Sequence, residues 1–406
     1  MSTDDDRPLA ILGRVLIDRT VIDDGVVILL GDKILEVGRR GHVDIPANPR
    51  RLDVPDRIIS PGFIDVHIHG SGGCHAEDDP VGIAQHVVSG GCTYFLPTLM
   101  TNELSGMVDS LVGIREVSGP INNGATIGGA HLEGPFLNPL YGAQRGEFVL
   151  EGRPDVVEML IEAAGPALAM VTIAPERLRA IDAIKRFVAA GAVVSLGHSN
   201  ATPADYSAAR SAGATHITHL FNAMAPSRLP ETSDYDGVRQ VGLEELALID
   251  EDVTADIVCD SASAHVNETL VKLALRCKGG AKLALITDSM FATGLKPGRH
   301  RMSDGQDLVT RTGEDVARLT CGSLCGSVMS MANAVQNLAT VASLPIEVAL
   351  VMATEAPARV LGIFSRKGSL ARGKDADIAI LDPEGNVEHT LVRGQLAYST
   401  EYGAFR

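Results

Sequence analysis

Two histidines one residue apart close an apolar run near the start of the chain. The segment reads SPGFIDVHIHG, from Ser60 to Gly70, and contains His67 and His69. In a β-strand, residues i and i+2 project from the same face, so both imidazoles would lie side by side with Ile68 facing the other way. Two such imidazoles form half of a metal site, but they can equally be polar residues at a strand end. The rest of the chain must decide between these interpretations.

Composition restricts the class of protein. The chain has 406 residues, of which 45% are apolar and 21% charged, as in a soluble globular protein. Its net charge of −16 argues against nucleic acid as a partner. No apolar run reaches the roughly 18 residues of a membrane helix, so no membrane partner is expected. The acidic start, MSTDDDRP, does not read as a signal peptide, and the six cysteines lack paired metal spacing. We therefore expect reduced thiols and a cytoplasmic protein.

Short apolar runs alternate with helical patterns in the middle of the chain. Most of these runs are separated by segments with helical periodicity and a glycine stop, such as RLRAIDAIKRFVAAG. The predicted strands are FIDVHIHG, TYFLPTLM, ATIGGAHLEG, LAMVTIAPE, AVVSLGHS, ATHITHLF, ADIVCD and KLALITDS. Apolar strands covered by helices indicate a parallel sheet, and eight β-α units predict a (β/α)8 TIM-type barrel. A doubly wound open sheet is the alternative, but no G-x-G-x-x-G follows the first strand.

The two ends of the chain have a different pattern, with short strands and turns but no long helix. Residues 8–59 include AILGRVLI and GVVILLGDKILEVG, and residues 368–396 include DADIAILDPEGNVEHTLVRGQ. We therefore predict an α/β protein in which residues 60–365 form the metal-dependent barrel. Residues 1–59 and 366–406 are expected to pair into one small β-sandwich domain.

Six side chains able to bind a metal fall at the C-terminal ends of five predicted strands, where such barrels carry their active sites. They are His67 and His69 on the first strand, Glu133 on the third, His198 on the fifth, His219 on the sixth and Asp288 on the eighth. Four imidazoles and two carboxylates suit Zn²⁺, or Fe²⁺, Mn²⁺ or Co²⁺. Any one of these histidines alone is more simply a satisfied strand-end residue, but six together favour the metal site. His131 lies deeper in its strand and His216 has the opposite parity, so neither is expected to be a ligand.

Five short segments contain most of these residues: PGFIDVHIHG, HLEGPFLNP, GHSNAT, THLFNAM and TDSM. Together they resemble the N-acetylglucosamine-6-phosphate deacetylases of the amidohydrolase superfamily. The closing GSLARGKDADIAILD resembles that superfamily's return into its small β-domain, so the resemblance spans roughly residues 10–396. It implies hydrolysis of the acetamide of an N-acetyl amino sugar, in the first place N-acetylglucosamine 6-phosphate, to acetate and the amino sugar phosphate. It also implies a homodimer with its active site near the subunit interface.

The resemblance implies a role for each matching residue. The residues that match the ligands of one metal are Glu133, His198 and His219. His67 and His69 match relatives that keep H-x-H and hold a second ion, whereas relatives without this pair work with one ion. Asp288 matches the catalytic aspartate, a general base toward water that afterwards returns the proton to the departing amine. The residues that match substrate contacts are Gln144, Asn222, Ala223 and His265.

Two departures from the family pattern bear on the substrate. Gln144 stands where the family usually has the histidine of Gly-Ala-His, and an amide can donate a hydrogen bond but carries no charge. The family's Arg-Glu-Pro-Gly, whose arginine contacts the phosphate, is replaced after NAM by the longer, acidic APSRLPETSDYDGVRQVG. Arg228 and Arg239 are the candidate replacements for that arginine. Another N-acetylhexosamine, phosphorylated or not, is therefore an alternative substrate.

Other function classes remain to be weighed. A dihydroorotase-like enzyme would need a lysine on the fourth strand, and LAMVTIAPE has none. A D-aminoacylase-like amidohydrolase also cleaves an acyl amide and stays open as an alternative. A non-catalytic scaffold should have lost metal ligands, whereas this chain keeps six.

Overall fold

The computed structural model describes residues 7–225, 240–302 and 305–400. Its first part comprises β1 (Leu9–Ile17), β2 (Thr20–Leu30), β3 (Lys33–Arg39), β4 (Arg50–Pro61), β5 (Phe63–Ile68), β6 (Gly70–Ser71), β7 (Cys74–His75), α1 (Pro80–Val87), β8 (Cys92–Leu99), α2 (Leu104–Val117), β9 (Thr126–Ile127) and β10 (Ala130–Glu133). Within the described residues, no helix is both long and apolar enough to cross a membrane.

The middle and last parts of the chain continue the alternation. The middle comprises α3 (Pro154–Ala164), β11 (Leu168–Ile173), α4 (Ala180–Ala189), β12 (Val193–Leu196), α5 (Pro203–Ser211), β13 (His216–Ile217), α6 (Leu243–Ile249), β14 (Thr254–Val258), α7 (Glu268–Lys278) and β15 (Leu283–Ile286). The last part comprises β16 (Arg299–Arg301), β17 (Asp307–Val309), β18 (Val316–Leu319), β19 (Leu324–Ser327), α8 (Met331–Ala342), α9 (Ile346–Val360), β20 (Ile378–Leu381), β21 (Val387–Val392) and β22 (Gln395–Ser399).

Eight parallel strands form the barrel, in the order β5-β8-β10-β11-β12-β13-β14-β15. The first and last strands meet through backbone hydrogen bonds beyond their ends. The Asp288 N–H donates to the His67 carbonyl at 3.0 Å, and the His69 N–H donates to the Ser289 carbonyl at 2.9 Å. All eight predicted strands are present, and the predicted (β/α)8 TIM-type barrel is confirmed. The contact between the strands that carry His67 and Asp288 also brings two of the predicted site residues together.

Burial on both faces explains why the barrel strands read as near-continuous apolar runs. All residues of β5 and β8 are buried. Side chains such as Ile64, Leu96 and Met170 pack in one cluster, while Phe95 and Leu132 pack in the larger cluster that contains the helices. A strand covered by side chains on one face and by helices on the other has no polar face to show in its sequence.

The two ends of the chain build one mixed sheet of seven strands, in the order β22-β21-β20-β4-β1-β2-β3. Strand β4 lies at its centre, pairing in parallel with β1 and antiparallel with β20. A core that includes Ile11, Val27, Ile59 and Ile378 is shared by strands from both termini. The pairing of the terminal segments is thus as predicted, and their strands hydrogen-bond in a single continuous order.

A small sheet that the sequence analysis did not anticipate follows the last barrel strand. The antiparallel strands β16 to β19 pack a core of Met302, Leu308 and Ala317 against Met290 and Phe291. These two residues follow closely after Asp288, the predicted site residue just beyond β15. The small sheet therefore covers one side of the C-terminal face of the barrel.

Candidate active site

All six predicted metal-ligand residues are buried together at the C-terminal face of the barrel. His67 belongs to β5, Glu133 ends β10, and the other residues follow their strands directly. At three of these positions the backbone turns through the left-handed region, with φ of 48° at His198, 31° at His219 and 49° at Asp288. Such a conformation costs about 1–3 kcal/mol at a non-glycine residue and persists where the surrounding structure enforces it. The strained turns direct these three side chains toward the barrel axis.

The Glu133 carboxylate lies at the centre of the cluster. Its Oε1 is 2.9 Å from His198 Nε2, 3.1 Å from His219 Nε2 and 3.4 Å from His67 Nε2. Its Oε2 is 3.6 Å from His69 Nε2. One carboxylate is therefore shared by two groups of potential ligands, one with His67 and His69 and the other with His198 and His219.

The histidine rings are oriented by their second nitrogen. Three of the four rings place Nδ1 against a backbone carbonyl, which can only accept a hydrogen bond, so Nδ1 carries the proton and Nε2 is free to bind a metal. The pairs are His69 with the Thr98 carbonyl at 3.0 Å, His198 with that of Tyr141 at 3.0 Å, and His219 with that of Asn222 at 3.1 Å.

The Nε2 atoms approach one another as closely as hydrogen-bonded atoms. His198 and His219 are 3.0 Å apart, and His67 and His69 are 3.2 Å apart, between Nε2 atoms. Two lone pairs facing each other at this distance repel unless a proton or a cation lies between them. The donor set, imidazole nitrogens around a buried carboxylate, thus fits a divalent first-row metal.

Electrostatics in the cluster favour positive charge among its rings. Burial opposes ionisation of Glu133, but the neighbouring imidazoles, His198 first, outweigh it and hold the carboxyl pKa well below its usual range. Burial likewise opposes ionisation of Asp288, while the hydrogen bond with His69 lowers its pKa to about 2. Burial disfavours charge on His69 and His219, yet their contacts with Asp288 and Glu133 respectively raise both pKa values to about 9. A bound cation would take over this positive charge and release the ring protons.

Two buried aspartates, which the sequence analysis did not identify, support the ligands from behind. Asp65 accepts a hydrogen bond from the His67 N–H at 3.2 Å and another from the Thr287 hydroxyl at 2.5 Å. Burial raises the pKa of Asp65 to about 6, and the Thr287 bond opposes this shift. Asp256 accepts from the His219 N–H. Each aspartate is the acidic residue of a buried and mostly apolar strand, and that buried charge is the sequence signal that could have identified them.

His131 and His216 lie outside the cluster of Nε2 atoms, as their positions in the strands predicted. His131 Nδ1 lies 2.9 Å from the Val66 carbonyl, and its Nε2 lies 2.8 Å from Thr172 Oγ1. His216 Nε2 lies 3.1 Å from Asp256 Oδ2. Both rings are used in buried hydrogen bonds of the barrel wall.

The four predicted substrate-contact residues line the same cavity as the metal-ligand cluster. They are Gln144, Asn222, Ala223 and His265. His265 is fixed by Asp260, whose Oδ2 accepts from His265 Nδ1 at 3.0 Å. No residue that the structure describes bonds to His265 Nε2, although this atom is buried. The ring therefore presents one uncommitted nitrogen beside the cluster.

Gln144 contacts the ligand cluster directly. Its Nε2 donates to Glu133 Oε2 at 2.6 Å, and its Oε1 accepts from the Thr101 N–H at 2.9 Å. Both ends of the amide are therefore engaged by protein groups. Gly142, two residues earlier, has φ of +86°, and a Cβ there would come within 2.5 Å of the His198 ring. The loop that carries Gln144 is thus packed tightly against two of the predicted ligands.

Most of the acidic segment APSRLPETSDYDGVRQVG, which the resemblance predicts to stand in place of a phosphate-contact motif, is residues 226–239 and lies outside the described residues. Arg228 and Arg239, the candidate replacements for the missing arginine, fall outside the described residues.

Comparison with known proteins decides the family. The profile of the Amidohydrolase family matches residues 58–397. The N-acetylglucosamine-6-phosphate deacetylase of Bacillus subtilis is 32% identical over 395 residues, covering 95% of both chains. The chain belongs to the N-acetylglucosamine-6-phosphate deacetylase family of amidohydrolases.

Two further relatives bear on fold and substrate. The crystal structure of N-acetylglucosamine-6-phosphate deacetylase from Pasteurella multocida matches with a TM-score of 0.85 and 29% identity, covering 96% of this chain and 99% of that one. An N-acetylgalactosamine-6-phosphate deacetylase from Escherichia coli is 31% identical, covering 87% of this chain and 90% of that one. Relatives with similar percentages of sequence identity to this chain are thus named for different sugars.

Asp260, whose carboxylate bonds to His265, should contribute to the stability of the fold in a pH-dependent way. Burial opposes ionisation of Asp260, but its hydrogen bonds with His265 and with the Ala264 N–H lower its pKa from 3.8 to about 2. A lowered pKa means that the carboxylate stabilises the fold above about pH 4, and that this contribution is lost as the pH falls toward 2. Asp260→Asn should lower the free energy of unfolding by about 1.5–3 kcal/mol at pH 7. Its deficit should shrink as the pH approaches 2.

Urea unfolding of metal-free protein at pH 7 and at lower pH measures this difference. Asp252→Asn, at an exposed position in the loop before β14, is the control and should behave as wild type. An Asp260→Asn deficit that stays constant with pH would contradict a stabilising carboxylate.

Proposed function

We propose that this enzyme removes the acetyl group from an N-acetylhexosamine 6-phosphate, with N-acetylglucosamine 6-phosphate as the first candidate. The products are acetate and the amino sugar phosphate. The observation that carries the proposal is the buried cluster of four imidazoles and two carboxylates, in a chain about one-third identical to named deacetylases. Another N-acetylhexosamine, phosphorylated or not, and an N-acyl-D-amino acid are the alternative substrates that an assay must separate.

The metal centre is the first part of the proposed mechanism. Glu133, His198 and His219 would hold one ion, and Glu133 with His67 and His69 would hold a second. Nitrogen and oxygen donors without thiolate suit Zn²⁺, with Fe²⁺, Mn²⁺ or Co²⁺ as alternatives. When bound, such an ion supplies a Lewis acid and lowers the pKa of a coordinated water to about 7.

Asp288 is the proposed proton carrier. Its pKa of about 2 keeps it ionised at neutral pH, so it can accept a proton from the attacking water. Its backbone is fixed by hydrogen bonds to the His67 carbonyl and from the Ser327 N–H, at 3.0 and 2.8 Å. A base held in this way can accept the proton and later donate it to the departing amine without a large movement.

The remaining cavity residues have proposed roles in positioning. His265 Nε2 is directed to bind a polar group of the sugar, while Asn222 and Ala223 border the same space. The resemblance implies that Gln144 contacts the acetyl group. Its hydrogen bonds support a different role, which is to orient Glu133, because both ends of its amide are already engaged.

Assembly and compartment complete the proposal. We propose a homodimer, as the resemblance implies, and sedimentation of the full chain tests it. None of the six cysteines, all of which lie in the described residues, forms a disulfide, and Cys277 and Cys321 are exposed, which supports a reducing compartment such as the cytoplasm. We also propose residues 60–365 as the catalytic unit, with residues 1–59 and 366–406 as its small β-domain.

Acetate release from a substrate panel tests the proposed activity. The panel contains N-acetylglucosamine 6-phosphate, N-acetylgalactosamine 6-phosphate, N-acetylglucosamine and an N-acetyl-D-amino acid. We expect the highest kcat/KM for N-acetylglucosamine 6-phosphate, since the Bacillus subtilis relative, which matches over 95% of both chains, is named for that substrate. A higher value for the D-amino acid would favour the aminoacylase-like alternative, and no release from any of the four would overturn the proposal.

Metal affinity should fall by different amounts when different residues of the cluster are replaced. His219→Ala removes a proposed ligand, whereas Gln144→Ala removes only a hydrogen bond to one. We expect Gln144→Ala to lower metal affinity by about 10- to 100-fold, and His219→Ala to lower it further. The metal bound per chain is measured by mass spectrometry after equilibration at fixed free metal. His42→Ala changes an exposed histidine and should retain the metal. Full metal content in His219→Ala would refute the assignment.

Replacing Asp288 should separate catalysis from binding. Asp288→Asn keeps the size of the side chain but cannot accept the proton, so kcat should fall by about 10²–10⁴-fold. The metal content should fall much less than in His219→Ala. Asp109→Asn, at an exposed position of α2, is the matched control. A kcat within threefold of wild type would exclude Asp288 as the general base.

A further inference from the structure

A second cavity, of about 610 Å³, opens at the face of the barrel opposite the metal-ligand cluster. Tyr94 lies near the start of β8, Thr126 begins β9, and Ala167 directly precedes β11. These residues therefore mark the N-terminal face of the barrel. Arg366 and Arg393, from the C-terminal segment, form the facing wall. The cavity thus lies at the junction between the barrel and the terminal sheet.

Positive charge is concentrated around this cavity, although the chain as a whole carries −16. Its lining contains five cationic and two anionic side chains. They are Lys33, Arg115, Arg366, Lys367 and Arg393, with Asp32 and Asp375. A local excess of cations on a strongly acidic protein attracts anions to that place.

Several of these cationic side chains already bond to protein groups. Those bonds show which cation remains available to a bound anion. Lys33 bonds to Asp375 at 2.6 Å, and Arg393 bonds to Asp32 at 2.6 Å. Lys367 bonds to Asp375 at 2.9 Å and also to the buried Asp377. Arg115 donates to the backbone carbonyls of Glu162 and Ala163 at 3.2 and 2.9 Å. Arg366 approaches Asp375 only to 3.7 Å. Its guanidinium makes no side-chain hydrogen bond with the residues that the structure describes, so it retains donors for a bound anion.

A buried hydroxyl gives an independent sign of a ligand. Thr126 is only 7% exposed and lines the cavity. Among the described residues, Thr126 Oγ1 has no hydrogen-bond partner. The neighbouring Tyr94 hydroxyl donates to the Gly128 carbonyl at 3.2 Å. Because buried hydroxyls are rarely left unpaired, Thr126 is the wall residue that we expect to bond with a molecule in the cavity.

We propose that this cavity binds a phosphate monoester of a small hydroxylated molecule. The charge excess matches a dianion, and the planar guanidinium of Arg366 is suited to two phosphate oxygens. Thr126 then bonds to a hydroxyl of the organic part. The cavity volume is within the range of about 300–1,000 Å³ that is typical of small-molecule sites. This site is separate from the proposed catalytic centre and does not depend on it.

Calorimetric titration of the full chain with glucose 6-phosphate tests the site, because this ester has no acetamide to hydrolyse. Thr126→Val removes the hydroxyl and keeps the shape, while Arg366→Gln removes the charge. Arg366→Gln should weaken binding by about 10- to 100-fold and Thr126→Val by about 2- to 10-fold, as expected for the loss of a hydrogen bond to a charged group and to a neutral group respectively. Thr126→Ser retains the hydroxyl and should bind as wild type. Arg372→Gln, an exposed arginine of the same segment that does not line the cavity, is the charge control.

The competing outcomes are distinct. Asn222→Ala changes the proposed catalytic cavity, and loss of binding in that variant alone would place the ester there and overturn the second site. Inorganic phosphate provides the other comparison. If it binds as tightly as the ester and Thr126→Val has no effect, the cavity holds a simple ion only and the proposal fails. The absence of binding by either probe would also overturn it.

Discussion

The buried carboxylate of Glu133 is the interaction on which the site depends. Its two oxygens lie within 3.6 Å of four imidazole nitrogens, so it is shared between both groups of potential ligands. A buried carboxylate is strongly unfavourable without such partners, and closely opposed imidazole lone pairs are unfavourable without a cation or proton. The carboxylate and the imidazoles therefore stabilise each other. A metal that replaces the shared protons would satisfy both requirements at once.

The barrel provides this convergence through its backbone. The last residues of the parallel strands all lie at one face of the barrel, but this position alone does not orient their side chains toward a common point. The left-handed backbone turns at His198, His219 and Asp288 provide this orientation. The backbone on either side is held by buried carboxylates, as where Asp65 accepts from the His67 N–H and Asp256 accepts from the His219 N–H. Local strain and buried polar groups, both unfavourable alone, are thus combined to fix the ligand geometry.

The sequence predicted the barrel because strand burial and chemistry leave local signals. Apolar runs marked all eight strands, and their polar ends marked the six site residues. The sheet of β16 to β19 escaped prediction because its strands have three or four residues, and the first, Arg299–Arg301, is largely exposed. The role of Asp65 was not predicted for a different reason. Its partner Thr287 is 222 residues away, and only closure of the barrel brings the two together.

The loop from Tyr141 to Gln144 contacts both the proposed metal ligands and the cavity proposed for the sugar. The Tyr141 carbonyl orients His198, Gly142 packs against the same ring, and Gln144 bonds to Glu133. Ala143 and Gln144 also line the cavity where the sugar is proposed to bind. A change in this loop that alters substrate contacts must therefore alter the support of two ligands as well. This coupling gives a physical reason for the glutamine in this chain, since a neutral amide can donate to Glu133 without bringing a further titrating imidazole into the cluster.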